Sequence, residues 1–264
     1  MDLELKGKRA LVSGSTAGIG LAAARLLAAE GAAVVVNGRT EARVSAAVGA
    51  IRDAVRGANV RGVAADLGTA AGCDALARAA GEIDVLVNNV GIFEPKPFEE
   101  ISDADWMRFF ETNVLSGVRL ARHALPGMRS RGWGRIVFVS SESALQIPVE
   151  MIHYGMTKTA QIAVARGLAE ATVGTGVTVN SVLPGPTSSE GVATFVEQMA
   201  KARGVDFASM EREFFQTARP SSLLKRFATP DEVAAMIVYV CSGRASATNG
   251  AALRVDGGVV RAIA

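Results

Sequence analysis

Aromatic rings, cysteine and unbalanced charge are all scarce in this chain of 264 residues. Aromatic residues make up only 5% of it, so a core has to be filled with small and branched aliphatic side chains, which suits close-packed layers of helix on sheet. Two cysteines, Cys73 and Cys241, are too few for a disulfide framework and sit at no metal-ligand spacing. Both read as ordinary buried thiols, and no metal is expected. With 28 basic residues against 26 acidic, the formal net charge is +2, which argues against nucleic acid or a membrane surface as partner. No apolar run reaches membrane-spanning length, and a strand beginning by Arg9 leaves no room for a signal peptide. The expectation is a cytoplasmic protein that acts on a small molecule.

What the chain does have is a regular alternation. Short apolar runs at 9–13, 33–36, 60–65, 83–87, 135–139, 177–182 and 253–255 read as strands. Their hydrophobicity is continuous, as in strands covered on both faces of a parallel sheet. Between them lie helix patterns at 19–29, 41–55, 103–125, 153–171 and 230–242. No stretch looks like a linker. The pattern predicts one α/β domain over 1–264, a Rossmann-type doubly wound parallel sheet with helices on both faces.

The rhythm breaks once, over 184–227, where extra helical material at 189–203 and 209–217 follows the end of the sixth strand. Ligands of open parallel sheets bind beyond the carboxyl ends of strands, so this insertion reads as a small helical substrate lid. Its acidic residues Glu190, Glu197, Glu211 and Glu213 read as a solvated face.

Three residues carry candidate chemistry. Tyr154 and Lys158 stand at i and i+4, on one face of a helix, where an ammonium can favour ionisation of a phenol and make it usable as an acid or base. Ser141 lies upstream at a strand end. A carbonyl that accepts hydride develops alkoxide charge, so an acid and a hydrogen-bond donor must converge on its oxygen; Tyr154 and Ser141 can supply them.

Near the start, Ser13, Gly14, Ser15, Thr16, Gly18, Ile19 and Gly20 form a glycine-rich turn between a strand and a helix, the context of a dinucleotide loop. Its glycines allow backbone to approach a pyrophosphate, and the helix N-terminus offers free N–H groups. The second strand ends Asn37-Gly38-Arg39. A carboxylate there would hold a ribose 2′-OH and repel a 2′-phosphate; a guanidinium instead predicts NADP(H) in preference to NAD(H). Asp66-Leu67 and Asn88-Asn89-Val90-Gly91 close the third and fourth strands, where adenine and ribose could be met.

Taken together, the glycine loop, Asp66, Asn88 to Gly91, Asn113, Ser141, Tyr154, Lys158 and Pro184-Gly185-Pro186-Thr187 resemble the classical short-chain dehydrogenase/reductase family over nearly the whole chain. The resemblance implies that Tyr154 exchanges the hydroxyl proton and that Lys158 lowers its pKa and bonds the nicotinamide ribose. It further implies that Ser141 orients the substrate carbonyl, that Asn113 supports a water-linked proton relay to the lysine, and that Pro184, Gly185 and Thr187 lie beside the nicotinamide amide. It also implies a homo-oligomer, tetramer or dimer, built through the long helices, with the apolar stretch 259–264 as a further interface element.

Three positions depart from the family pattern: Ser13 stands for a threonine, Val90 for an alanine beside the cofactor, and Glu142 for a small or apolar residue. Glu142 leaves two readings open, selection of a cationic or polyhydroxyl substrate, or a carboxylate that points to solvent or pairs with an arginine. His153 reads as lining a pocket edge or capping its helix, His123 as a surface or interface residue, and Tyr239 as core packing. The activity expected is hydride transfer between NADP(H) and a secondary alcohol or ketone. A 3-oxoacyl thioester reductase and a sugar, polyol or steroid dehydrogenase are not separated by the sequence; an NADP(H)-binding regulatory protein without catalysis is the alternative of another class.

Overall fold

The computed structural model describes residues 1–190, 192, 200, 203, 204 and 206–263. Seven parallel strands form one sheet in the order β3-β2-β1-β4-β5-β6-β7: β1 Arg9–Val12, β2 Ala33–Gly38, β3 Val60–Ala64, β4 Val85–Asn88, β5 Gly134–Val139, β6 Val177–Pro184 and β7 Ala252–Val255. The helices whose residues are all described are α1 Gly18–Ala29, α2 Glu41–Ala54, α3 Ala70–Ala80, α4 Asp103–Phe110, α5 Ser116–Ser130, α6 Ile152–Glu170, α7 Phe207–Thr217 and α8 Pro230–Val240.

The continuous apolar runs are explained by the two faces they serve. Ala10, Val12, Val34, Val36, Val85, Val87, Val137 and Val139 pack under α1, α2 and α8. Their strand neighbours Leu11, Val35, Leu86, Ile136 and Phe138 pack on the opposite face under α3, α5 and α6. Side chains alternate across a strand, so a strand covered on both faces must be apolar throughout. Because the chain order reverses between β1 and β4, a crevice opens at their carboxyl ends, the switch point at which such sheets bind ligands.

Three elements differ from the sequence expectation. α3 was outside the expected helices; its buried face is only Cys73, Leu76 and Ala77, too small an apolar signal to read. The helix expected over 103–125 is interrupted by a π-helical turn at Glu111–Leu115 and continues past Pro126 to Ser130. Tyr239 is 40% exposed, not core: α8 turns Val233, Ala234, Ile237 and Val238 inward and leaves the tyrosine on its outer face.

The 184–227 insertion has a small core of its own. Phe227 stacks 5.1 Å from Phe214 and 5.2 Å from Phe215, with Met210 and Ala200 buried beside them. Asp206 accepts from Ser209 N at 2.7 Å and starts α7 two residues earlier than expected. Most of the helix expected over 189–203, Glu197 included, lies outside the described residues. Of the other acids, Glu190 pairs with Arg43, Glu213 with Arg203, and Glu211 accepts from Phe227 N.

Candidate active site

The loop after β1 is held by side chains from its neighbours. Ser13 Oγ accepts from the backbone N–H of Asn89 at 2.9 Å and of Val90 at 3.1 Å. Asn89 Nδ2 donates back to the carbonyls of Ser13 and Gly14. From the other side, Asn37 Oδ1 accepts from Gly14 N at 3.1 Å, while its Nδ2 donates to the carbonyls of Val63 and Ala65. Ser15 is buried, its hydroxyl donating to Val12 O at 2.7 Å. Asn37 and Ser15 therefore spend their polar groups on backbone of the loop and of the strand ends beside it.

Glycine is needed here for space. A Cβ on Gly20 would meet Asn89 Nδ2 and lie 2.6 Å from the Gly14 carbonyl oxygen; one on Gly14, whose φ is +60°, would lie 3.0 Å from Val90 Cα. α1 then begins at Gly18 with no side-chain cap at Ala17 and no acid in its first turn, so its first N–H groups are left for an anion. Thr16, Gly18 and Ile19 are half-buried around this end, and Arg39 stands exposed at the end of β2. An open backbone cradle with a positive end fits the pyrophosphate of a dinucleotide. Asp66 is exposed at the end of β3, its Oδ1 accepting from Gly68 N at 3.0 Å, and Leu67 is buried. Gly185 abuts the Asp256 backbone, which leaves no room for a Cβ. Pro184 ends β6, and the Thr187 hydroxyl donates to the Gly185 carbonyl.

The candidate reacting groups stand on the other side of the crevice. Ser141 follows β5, and its Oγ accepts from Ser143 N at 3.1 Å, fixing the turn that follows. Tyr154 and Lys158 lie one turn apart on α6, with the lysine Nζ 5.6 Å from the centre of the tyrosine ring. Burial pushes the phenol up to about 12; its hydrogen bond with Ser141 and the charge of Arg219 pull it down, and Glu142 pushes it up. Burial pushes the Lys158 ammonium down to about 7. At neutral pH the phenol is thus held in its acid form, opposite to the lowering expected from Lys158, because burial outweighs the charges around it.

Asn113 sits in the π-helical turn between α4 and α5. Its Oδ1 accepts from Ile92 N, and its Nδ2 donates to Ile92 O and to Thr157 Oγ1. That ties the strand-end segment of Val90 and Gly91 to α6; a Cβ on Gly91 would lie 3.4 Å from Lys158 Nζ.

Two site residues were invisible beforehand. Arg219, near the end of the insertion, donates through Nε to Glu142 Oε1 at 2.8 Å, and both side chains are nearly buried. Of the two readings of Glu142, the structure selects pairing with an arginine, 77 residues away in sequence. Gln161 bonds both Lys158 and Asn113; a polar residue one turn past the lysine in a small-residue helix was the only signal. His153 neither caps α6 nor lines an edge. Its ring is fully buried, 4.0 Å from that of Phe109 and 6.0 Å from that of Trp106. His123 is exposed, as expected.

A switch-point crevice with a glycine loop on one wall and a serine, tyrosine and lysine on the other defines a nicotinamide-dependent oxidoreductase of the doubly wound class. The chain matches the short chain dehydrogenase family over residues 8–200 and belongs to it. It is 46% identical to the uncharacterized oxidoreductase YvaG of Bacillus subtilis (strain 168), with 100% of both chains covered. It is 36% identical to the D-beta-hydroxybutyrate dehydrogenase of Cupriavidus necator, over 97% of this chain and 99% of that one. The crystal structure of L-sorbose reductase from Gluconobacter frateurii, complexed with NADPH and L-sorbose, superposes with a TM-score of 0.95 at 33% identity, with 100% of both chains covered. The chain is accordingly an oxidoreductase that acts on CH–OH groups or their carbonyls. No described helix is long and apolar enough to cross a membrane.

Proposed function

We propose that this chain reduces a ketone to a secondary alcohol, and catalyses the reverse, with NADPH as the preferred cofactor. The observation that carries the reading is the convergence of a neutral phenol, Tyr154, with the Ser141 hydroxyl and the Lys158 ammonium at the strand ends. Gly14, Gly18, Gly20, the α1 N-terminus and Asn89 would form the pyrophosphate cradle. Asp66, Leu67, Val90 and Gly91 would flank adenine and ribose, and Pro184, Gly185 and Thr187 the nicotinamide amide. Ser13, Ser15 and Asn37 would shape the loop, with Thr16 and Ile19 on its cofactor side. When bound, the nicotinamide supplies the hydride.

The protein's own groups manage the oxygen. Tyr154 donates its proton as alkoxide charge develops, and Ser141 donates a second hydrogen bond that strengthens with that charge. Lys158 places a positive charge within reach of the phenol and favours the phenolate left behind. Asn113 holds the segment on which that lysine rests.

Arg39 supports the cofactor preference: an exposed guanidinium offers a bidentate partner to a 2′-phosphate, and the strand end bears no carboxylate. Replacing Arg39 with alanine should weaken NADPH binding about tenfold and leave NADH unchanged, as read by fluorescence titration. Equal Kd values for the two cofactors in the unaltered protein would overturn the preference.

On the substrate side, Arg219 occupies only one oxygen of Glu142; the other, Oε2, is buried without a hydrogen-bond partner next to Ser141, which favours a polar ketone such as a keto sugar or polyol. Exposed Phe93, its ring 6.4 Å from that of Tyr154, and Ile147, against Gly155, keep the acyl thioester reading open, with the 184–227 segment as the lid over either. A spectrophotometric panel of keto sugars, acetoacetyl thioesters, diketones and steroid ketones, read with NADPH and NADH, tests the function. Turnover of one class fixes the substrate family; tight NADPH binding with silence throughout would favour a non-catalytic regulatory protein. We further place the protein in the cytoplasm as a homo-oligomer, dimer or tetramer, associating through α4, α5 and α6. A monomeric mass by light scattering would remove that assembly.

A further inference from the structure

Three residues after Lys158 the chain places a glutamine, and the helix turns it to the lysine's side. Gln161 is 1% exposed, so both ends of its amide have to find partners inside the protein. Its Nε2 donates to the Asn113 carbonyl at 2.6 Å, and its Oε1 accepts from Lys158 Nζ at 3.2 Å. The orientation is dictated by chemistry: a carbonyl only accepts, so the NH2 end must face Asn113 and the oxygen must face the lysine. Asn113 lies in the π-helical turn, where the change of register opens the helical ladder to side-chain partners.

We propose that Gln161 is the positioning residue for Lys158: its amide braces the lysine Nζ against the Asn113 carbonyl and closes that side with a group that neither gives nor takes a proton. The inference rests on the role proposed above for Lys158. An ammonium has three hydrogens. The Val139 carbonyl takes one at 2.9 Å and Gln161 takes another, which leaves one for the side of the site where Tyr154 and Gly91 lie. A proton that reaches or leaves Lys158 therefore passes on that open side: the Gln161 amide fills the place between Asn113 and the lysine where the resemblance implied a water-linked relay.

The arrangement also sets the lysine's charge. Burial pushes its pKa down to about 7, and an oxygen that accepts from the charged form works against that push. Tyr154 is the titratable neighbour, one turn back on α6; Glu142 and Arg219 act on the phenol. The brace thus opposes loss of that proton.

The test is a titration that needs neither cofactor nor substrate. Protein carrying 13Cε-lysine is followed by NMR from pH 5 to pH 10 on the order of the lysine range, with the Lys158 resonance assigned by its loss in Lys158→Arg. Gln161→Met, similar in length but without an acceptor, should lower the Lys158 midpoint by roughly one pH unit. Gln161→Glu, which keeps an accepting oxygen, should leave the midpoint at or above that of the unaltered protein. An unmoved midpoint in Gln161→Met, or a fall of the same size in Gln161→Glu, overturns the proposal. Should Gln161→Met not fold, a lowered midpoint in Gln161→Glu overturns it and an unmoved or raised one supports it. Failure of the catalytic reading would instead appear as turnover that survives Tyr154→Phe, with the titration unaffected.

Discussion

The two walls of the crevice are built from different materials. The cofactor wall is made from strand ends and backbone: the side chains of Ser13, Asn37 and Asn89 bond backbone groups of neighbouring strand ends that the sheet itself aligns, and glycines leave the space. The substrate wall depends on side chains that no strand register aligns, Glu142 with Arg219 and Gln161 with the Asn113 carbonyl. A backbone cradle recognises what every dinucleotide shares, whereas side-chain pairs can be exchanged without disturbing the fold. The difference teaches why cofactor use is written plainly in such a chain and substrate choice is not.

That comparison can be broken most severely on the cofactor wall. Gly20→Ala forces a methyl group against Asn89 and the Gly14 carbonyl, so NADPH binding should weaken about hundredfold or more while the fold persists. Calorimetric titration would measure it, and a Kd within about threefold of the unaltered value would mean the loop is looser than described.

On the substrate wall, Arg219→Met leaves the Glu142 carboxylate buried without its cation. Removing one member of such a pair costs about 3 kcal/mol, so the melting temperature should fall by several degrees with NADPH affinity retained. Glu142→Gln and Arg219→Met should also move the basic limb of the pH–rate profile in opposite directions. Glu142 pushes the Tyr154 pKa up and Arg219 pulls it down, so the first variant lowers that limb and the second raises it. Shifts of the same sign would show that neither charge reaches the phenol.

A smaller effect comes from His153, which backs the substrate wall against Phe109 and Trp106. Burial lowers its pKa below the ordinary 6.5, with Asp105 and Glu94 opposing and Arg108 and Lys96 assisting. The unfolded chain therefore binds a proton as pH falls through 6.5 while the folded one resists it, and stability declines on the acid side. The slope from this one group is at most about 1.4 kcal/mol per pH unit. Melting temperatures measured across that range should lose the slope in His153→Phe. The smallest change expected is a gain: Gly167→Ala, in α6 with no neighbour within 4 Å of the added methyl, should stabilise the protein by about 1 kcal/mol.

Legibility followed the same division. Strands covered on both faces declare themselves by unbroken apolar runs, and the glycine loop, Ser141, Tyr154 and Lys158 lie at spacings that local geometry fixes. α3 was missed because alanines pack closely without a strong apolar stripe, and Tyr239 was misplaced because an apolar run hides which way a single residue turns. The π-helical turn at Asn113 leaves no local mark, and Gln161 meets it only after the chain has folded back 48 residues later. Nothing near Arg219 in sequence names Glu142 as its partner. What depends on contacts between distant segments has no local signature to read.

The central claim is that Tyr154 is the proton donor of a site whose cofactor wall stands independently of it. The most direct measurement compares Tyr154→Phe with the unaltered protein in NADPH oxidation against the ketone that the panel identifies, together with the NADPH Kd of each. The account predicts a loss in kcat of about a thousandfold with the Kd nearly unchanged. Turnover that survives the loss of the hydroxyl would contradict it.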